Sequence, residues 1–169
     1  MNVDRQVLRK PRNWGGVKVH NKNEISFPGS PALGGAKLPK ILIDTSVWIE
    51  YFRNRSSNIS NKVDETLSKK EVFVPKIVIA ELIQGAKSER EVSIIRDFLE
   101  AFNIIDQKED TWFKAGELSF SLKKKGKMVN LTDCYIAVIA QEHNCQIFTL
   151  DEHFKEIQKR LNIRLTSHS

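Results

Sequence analysis

Cysteine is nearly absent from this chain of 169 residues. Cys134 and Cys145 stand eleven positions apart, too few for a disulfide scaffold and without the paired spacing of a zinc site. They are expected to be inert buried thiols. No run approaches the roughly 18 consecutive apolar residues of a membrane span, and the first thirty residues hold no apolar stretch of the signal-peptide kind. The expected setting is reducing and cytoplasmic, away from membranes. Glycine and proline are also scarce beyond residue 40, where three glycines and Pro75 remain. Such a stretch can run in regular elements, and 40% hydrophobic residues suffice for one packed domain.

The formal net charge of +6 suggests a nucleic-acid footprint until it is divided along the chain. Residues 1–40 carry eight Lys/Arg against Asp4 and Glu24, while the remainder holds nineteen basic and nineteen acidic groups. The same forty residues hold five of the eight glycines and four of the five prolines. Val17–Val19 is their one hint of a strand. Residues 1–37 are therefore expected to form a flexible basic segment outside the working domain, which would span 38–169. A basic tail attracts phosphate without specificity, so the function has to be read from the balanced part.

From residue 41 the pattern alternates. Strands are predicted at Ile41–Ile43, Val72–Val74, Ile104–Ile105, Gln146–Thr149 and Ile163–Leu165. Helices are predicted over 47–53, 59–69, 77–86, from Ser88 onward, 111–125, from Thr132 or Asp133 onward, and 152–160. Pro75 suits the first turn of its helix, and Ser88 with Glu91 forms a capping box. The helix after Ser88 should bury Val92, Ile95, Leu99 and Phe102; the helix from Thr111 should bury Trp112, Ala115, Leu118 and Leu122. Short strands alternating with helices imply an α/β fold, a three-layer sandwich around a short parallel sheet. Ligands of such sheets bind at the carboxyl ends of strands.

Four acids stand where solvation alone would not put them. Asp44 follows the apolar strand 41–43, and Asp151 follows 147–150. Glu81 is the only charge between Lys76 and Lys87. Asp133 shares a helix face with Ile136, Ala137 and Ala140, small enough to let that helix approach the sheet. Each acid alone could be a helix cap or a solvated side chain; together they point to a site. Four anions in one low-dielectric corner repel or shift their pKa values, and a hard divalent cation relieves this. Oxygen ligands select Mg²⁺ or Mn²⁺ over zinc.

These segments resemble a known family. Ile-Leu-Ile-Asp-Thr-Ser-Val-Trp-Ile-Glu-Tyr-Phe-Arg (41–53) looks like the opening of PIN-domain nucleases, most closely of VapC-type toxins. Val78-Ile79-Ala80-Glu81-Leu82, Thr132–Ala140 and Phe148-Thr149-Leu150-Asp151-Glu152-His153-Phe154 resemble the second, third and fourth motifs. The resemblance spans about 38–166 and implies a PIN-like fold and a metal-dependent endoribonuclease with Asp44, Glu81, Asp133 and Asp151 as its acidic cluster. Asp44 and Asp133 are taken as direct ligands of Mg²⁺ (or Mn²⁺), with Glu81 and Asp151 completing the shell. Thr45, Ser46 and Thr149 would be supporting hydroxyls. It also implies RNA cleavage by metal-activated water, a cognate antitoxin that occludes the site, and a homodimer.

One enzyme rival is disfavoured, and a receiver domain less strongly so. A dehalogenase-like phosphatase needs a second Asp where Ser46 stands, and a receiver domain needs a Lys after a late strand. A non-catalytic RNA-binding or scaffolding PIN-like domain is the alternative, and it would be expected to have lost an acid. Lys123-Lys124-Lys125-Gly126-Lys127 is either a solvated helix end or a phosphate-tracking rim. Trp48 and Tyr51 are expected in a core or dimer contact. His143, His153 and His168 fall in no paired metal spacing and are not expected to bind an ion.

Overall fold

The computed structural model describes residues 38–54 and 56–166, together with the backbone of two short strands nearer the start. Those two, β1 (Lys18–Val19) and β2 (Ile25–Ser26), pair antiparallel, the first overlapping the strand expected at Val17–Val19. The rest of the segment 1–37 expected to be flexible lies outside the described residues.

Ile41-Leu42-Ile43 has no polar side chain to solvate, and all three are fully buried in β3 (Lys40–Ile43). Fully apolar strands of this kind belong in the middle of a parallel sheet covered on both faces. β3 is flanked by β4 (Glu71–Pro75) and β6 (Gln146–Phe148), with β5 (Asn103–Ile105) and β7 (Arg164–Leu165) at the edges. The order is β5-β4-β3-β6-β7 and every pairing in this sheet is parallel. The chain winds outward from β3 through β4 to β5, then crosses back to β6 and β7. The winding direction therefore changes between β3 and β6, and the crevice at their carboxyl ends is where such sheets place a ligand.

Helices α1 (Thr45–Arg53), α2 (Asn58–Lys69), α3 (Lys76–Gln84) and α4 (Glu89–Leu99) pack as one group. Helices α5 (Thr111–Lys123), α6 (Leu131–Glu142) and α7 (His153–Gln158) form a second group, and the two flank the sheet as a three-layer α/β fold. Helix ends follow local chemistry. Ser88 Oγ accepts the Glu91 N–H at 3.3 Å, while Glu91 Oε2 reaches back to the N–H of Lys87 at 2.7 Å, one residue before the expected partner. Gly126, with φ of +72°, lets the Lys127 N–H bond the Leu122 carbonyl and so close α5, a conformation that costs glycine little.

Two helix faces differ from expectation. α4 buries Glu91, Ile94, Ile95, Phe98 and Leu99, and Val92 sits half-buried at the margin. The reason is an aromatic box, in which Trp48, Tyr51 and Phe52 of α1 surround Phe98 with ring centroids 5.4–5.8 Å away. Rings of that size turn the helix toward them. Phe102 lies beyond the end of α4 but still joins the box, 5.1 Å from Phe98. In α5, Thr111 rather than Trp112 is buried with Ala115, Leu118 and Leu122. Trp112 is 43% exposed and lies flat on Tyr135 of α6, centroids 4.0 Å apart.

Candidate active site

Asp44 is the first residue past β3, and its side chain accepts the Ser46 N–H to cap α1. Strand end and helix start thus coincide, which places the carboxylate at the mouth of the crevice, where it is 4% exposed. Its Oδ2 accepts hydrogen bonds from Ser46 Oγ at 2.7 Å and from Thr149 Oγ1 at 2.9 Å. Each hydroxyl is itself held by backbone. The Leu150 N–H donates to Ser46 Oγ and the Asp151 N–H donates to Thr149 Oγ1, both at 3.0 Å. A hydroxyl donates once while accepting elsewhere, so two backbone amides beyond β6 are relayed onto one carboxylate. Thr45, the third hydroxyl singled out from sequence, donates from Oγ1 in α1 to Glu81 Oε2 of α3. Glu81 is half-buried.

Asp133 and Asp151 are differently served. Asp133 lies in the first turn of α6, after Asn130 at the cap position, and is 9% exposed. Its Oδ2 is buried with no hydrogen-bond partner among the described residues. Burial foremost, then the charges of Asp151 and Asp44, push the Asp133 carboxyl up to about 6. Glu81 adds to the same repulsion. The charges of Asp151, Asp44 and Glu81 thus all act on Asp133, the least satisfied of the four.

The structure adds a residue that spacing did not single out. Asp151 Oδ1 accepts the N–H of His153 at 2.8 Å, and this turn swings the His153 ring back over the carboxylate. Nδ1 of His153 lies 3.1 Å from Asp151 Oδ1 and 3.9 Å from Asp133 Oδ2. Asp133, Asp151 and His153 present ligand atoms all within 4.8 Å of one another, an arrangement able to hold a metal ion. His153, not expected to bind an ion because it falls in no paired metal spacing, therefore lies beside two of the four acids. The readable signal was an Asp shortly after a strand with a His two positions later, at a helix start.

Of the other residues singled out, His168 lies outside the described residues. Trp48 and Tyr51 are buried in the aromatic box, and Cys134 and Cys145 are buried free thiols that burial pushes up to about 11. Among the described residues, no helix is long and apolar enough to cross a membrane.

Residues 41–160 match the PIN domain family. The chain is similar to ribonuclease VapC1 of Methanocaldococcus jannaschii, 29% identical over 121 residues covering 71% of this chain and 82% of that protein. It is 26% identical to ribonuclease VapC2 of Haemophilus influenzae over 129 residues, 74% of this chain and 95% of the relative. Among solved structures, VapBC2 from Rickettsia felis bound to a DNA fragment from their promoter matches with a TM-score of 0.64 and 26% identity. That match covers 75% of this chain and 97% of the other.

Proposed function

The chain belongs to the PIN-domain family, and from that premise we propose that it is a metal-dependent endoribonuclease of the VapC type, the toxin of a toxin–antitoxin pair. Its ribonuclease relatives support the substrate class. The observation that carries the catalytic reading is the unpartnered, buried Oδ2 of Asp133 in a corner that already holds Asp151, Asp44 and Glu81. An acid left without a hydrogen bond among like charges costs stability unless a cation completes the site.

The donors are hard oxygens, which fit Mg²⁺ or Mn²⁺. Asp133, Asp151 and Asp44 would hold the ion, and Glu81, oriented by Thr45, would complete its surroundings. When bound, such a cation lowers the pKa of a water and neutralises charge on the scissile phosphate. The chain's own part is positional. Ser46 and Thr149 fix the Asp44 carboxylate, so its remaining oxygen stays aimed, and the box beneath α1 keeps the helix that carries it in place. Attack by water rather than by the 2′-hydroxyl leaves 5′-phosphate and 3′-hydroxyl ends.

A narrow cleft between α1, α3 and α4 has an apolar floor of Ile49, Phe52, Leu82 and Ile95, with Arg53, Glu81, Lys87 and Glu91 also in its wall. It offers an apolar segment of an antitoxin a seat next to the acids. The exposed Phe113 and Phe120 of α5 give a homodimer an apolar face. Expression with and without the neighbouring antitoxin gene, with sequencing of cellular RNA 5′ ends, tests the proposal. Growth arrest with discrete new 5′-phosphate ends is expected, lost in Asp44→Asn although its circular dichroism spectrum is unchanged. Unbroken RNA and normal growth from the wild-type chain would favour the non-catalytic alternative.

A further inference from the structure

The family motifs supply the acids; they leave the nitrogen at the same corner unaccounted for. We propose that His153 Nδ1 is a direct donor to the cation, so that this chain builds a mixed nitrogen–oxygen site from Asp133, Asp151 and His153 that prefers Mn²⁺ over Mg²⁺. The inference rests on the metal-dependent reading above.

Three observations support it. First, the geometry suits an octahedral ion. With metal–ligand bonds of about 2.1 Å, adjacent ligands stand roughly 3.0 Å apart and opposite ones roughly 4.2 Å. His153 Nδ1 lies 3.1 Å from one carboxylate oxygen, the spacing of adjacent ligands, and 3.9 Å from the other, between the adjacent and opposite spacings. Second, Asp133 Oδ2, the oxygen at 3.9 Å, has no other partner among the described residues and is cut off from solvent, so it is free to face an ion. Third, the backbone that carries the ring is tied to the carboxylate beside it. The His153 N–H is bound to Asp151 Oδ1, and Thr149 in turn holds the Asp151 N–H, so side chain and carboxylate are presented together.

The chemistry sets the preference. Mg²⁺ takes oxygen ligands almost exclusively, whereas an imidazole suits transition metals, and affinity at nitrogen donors rises from Mn²⁺ along the first row. Adding one imidazole to the carboxylates therefore favours Mn²⁺ over Mg²⁺ more than carboxylates alone would. The half-exposed ring leaves one side of the site open to substrate.

The test is Mn²⁺ binding to the full chain, followed by electron paramagnetic resonance with detection of ¹⁴N coupling, and Mg²⁺ competition against bound Mn²⁺. Wild type is expected to show an imidazole nitrogen coupled to Mn²⁺. His153→Gln should lose that coupling and bind Mn²⁺ about tenfold more weakly, with Mg²⁺ affinity changed far less. Melting in EDTA should match wild type, because the backbone bond to Asp151 survives the substitution. Asp133→Asn should weaken both ions. Mn²⁺ bound by wild type without nitrogen coupling, or an unchanged Mn²⁺ to Mg²⁺ ratio in His153→Gln, overturns the proposal and leaves the acidic site standing. If wild type binds neither ion, both readings fall together.

Discussion

Helix α1 touches two buried regions built on opposite terms. Along its length, Trp48, Tyr51 and Phe52 enter the aromatic box with Phe98 and Phe102, where the Tyr51 hydroxyl reaches Asp64 Oδ1 at 2.7 Å and the indole Nε1 of Trp48, a neutral donor, is buried without a partner among the described residues. At its start, Asp44, Thr45 and Ser46 enter a corner where four acids meet and one buried oxygen has no partner. The first region gains free energy from packing. The second loses some of it to hold charges in readiness for an ion. One helix belongs to both, so the box holds up the fold while the corner's own hydrogen bonds set its geometry.

Shrinking the box should therefore have the largest effect on stability and the smallest on chemistry. Phe98→Ala removes a buried ring from among four others and should cost about 3–5 kcal/mol, read as a lower urea midpoint. At a temperature where the variant remains folded, its RNA cleavage per folded molecule should stay close to that of wild type. Cleavage falling in step with Asp44→Asn would mean that box and corner are a single unit.

The corner should show the reverse sign. Asp133 has its carboxyl raised from 3.8 to about 6, so the folded chain keeps a proton that the unfolded chain releases. Stability without metal should be fully present below pH about 4, fall as pH rises through 6, and stay lower above. At about 1.4 kcal/mol per pKa unit the loss is on the order of 2–3 kcal/mol. Urea unfolding in EDTA at pH 4 to 8 measures it, with Asp133→Asn as the reference that lacks this slope. Adding Mn²⁺ at pH 8 should restore the loss in wild type and not in the variant. A wild-type chain whose pH profile parallels that of Asp133→Asn would mean that Asp133 is relieved by something other than a cation.

The two regions were not equally legible from sequence. Strand 41–43, with no polar residue, could only be central, and the acids after it and after residue 150 were legible because strand ends face the ligand side. Glu81 stood out as a lone charge on an apolar helix. The box was less legible: Trp48 and Tyr51 read as packing, but which face of α4 meets them depends on ring shapes, so Val92 was expected where Ile94 and Phe98 are found. His153 was missed for a different reason. Its approach to Asp151 depends on a backbone N–H bonded to the preceding carboxylate, and a search for paired ligand spacings carries no record of such turns. The hydroxyl relay onto Asp44 was foreseen in its members and not in its wiring, since the amides of 150 and 151 carry no signal in residue identity.

The smallest effect is the one that separates packing from polar satisfaction. Tyr51→Phe deletes an oxygen from the box and leaves the ring, so Asp64 loses a donor at the edge of the region, where it is half-buried and can turn to water. The cost should be about 1 kcal/mol in urea unfolding at pH 7, because the acceptor is rescued by solvent rather than stranded. That is a loss on deleting a partnered polar group, whereas neutralising the unpartnered Asp133 should bring a gain under the same metal-free conditions. Both changes touch a carboxylate, one by removing its donor and one by removing its charge, so area lost cannot account for opposite signs. If Tyr51→Phe instead stabilised the fold, the contrast between the regions would reduce to ring packing, and the orphaned oxygen of Asp133 would lose its standing as the mark of an ion site.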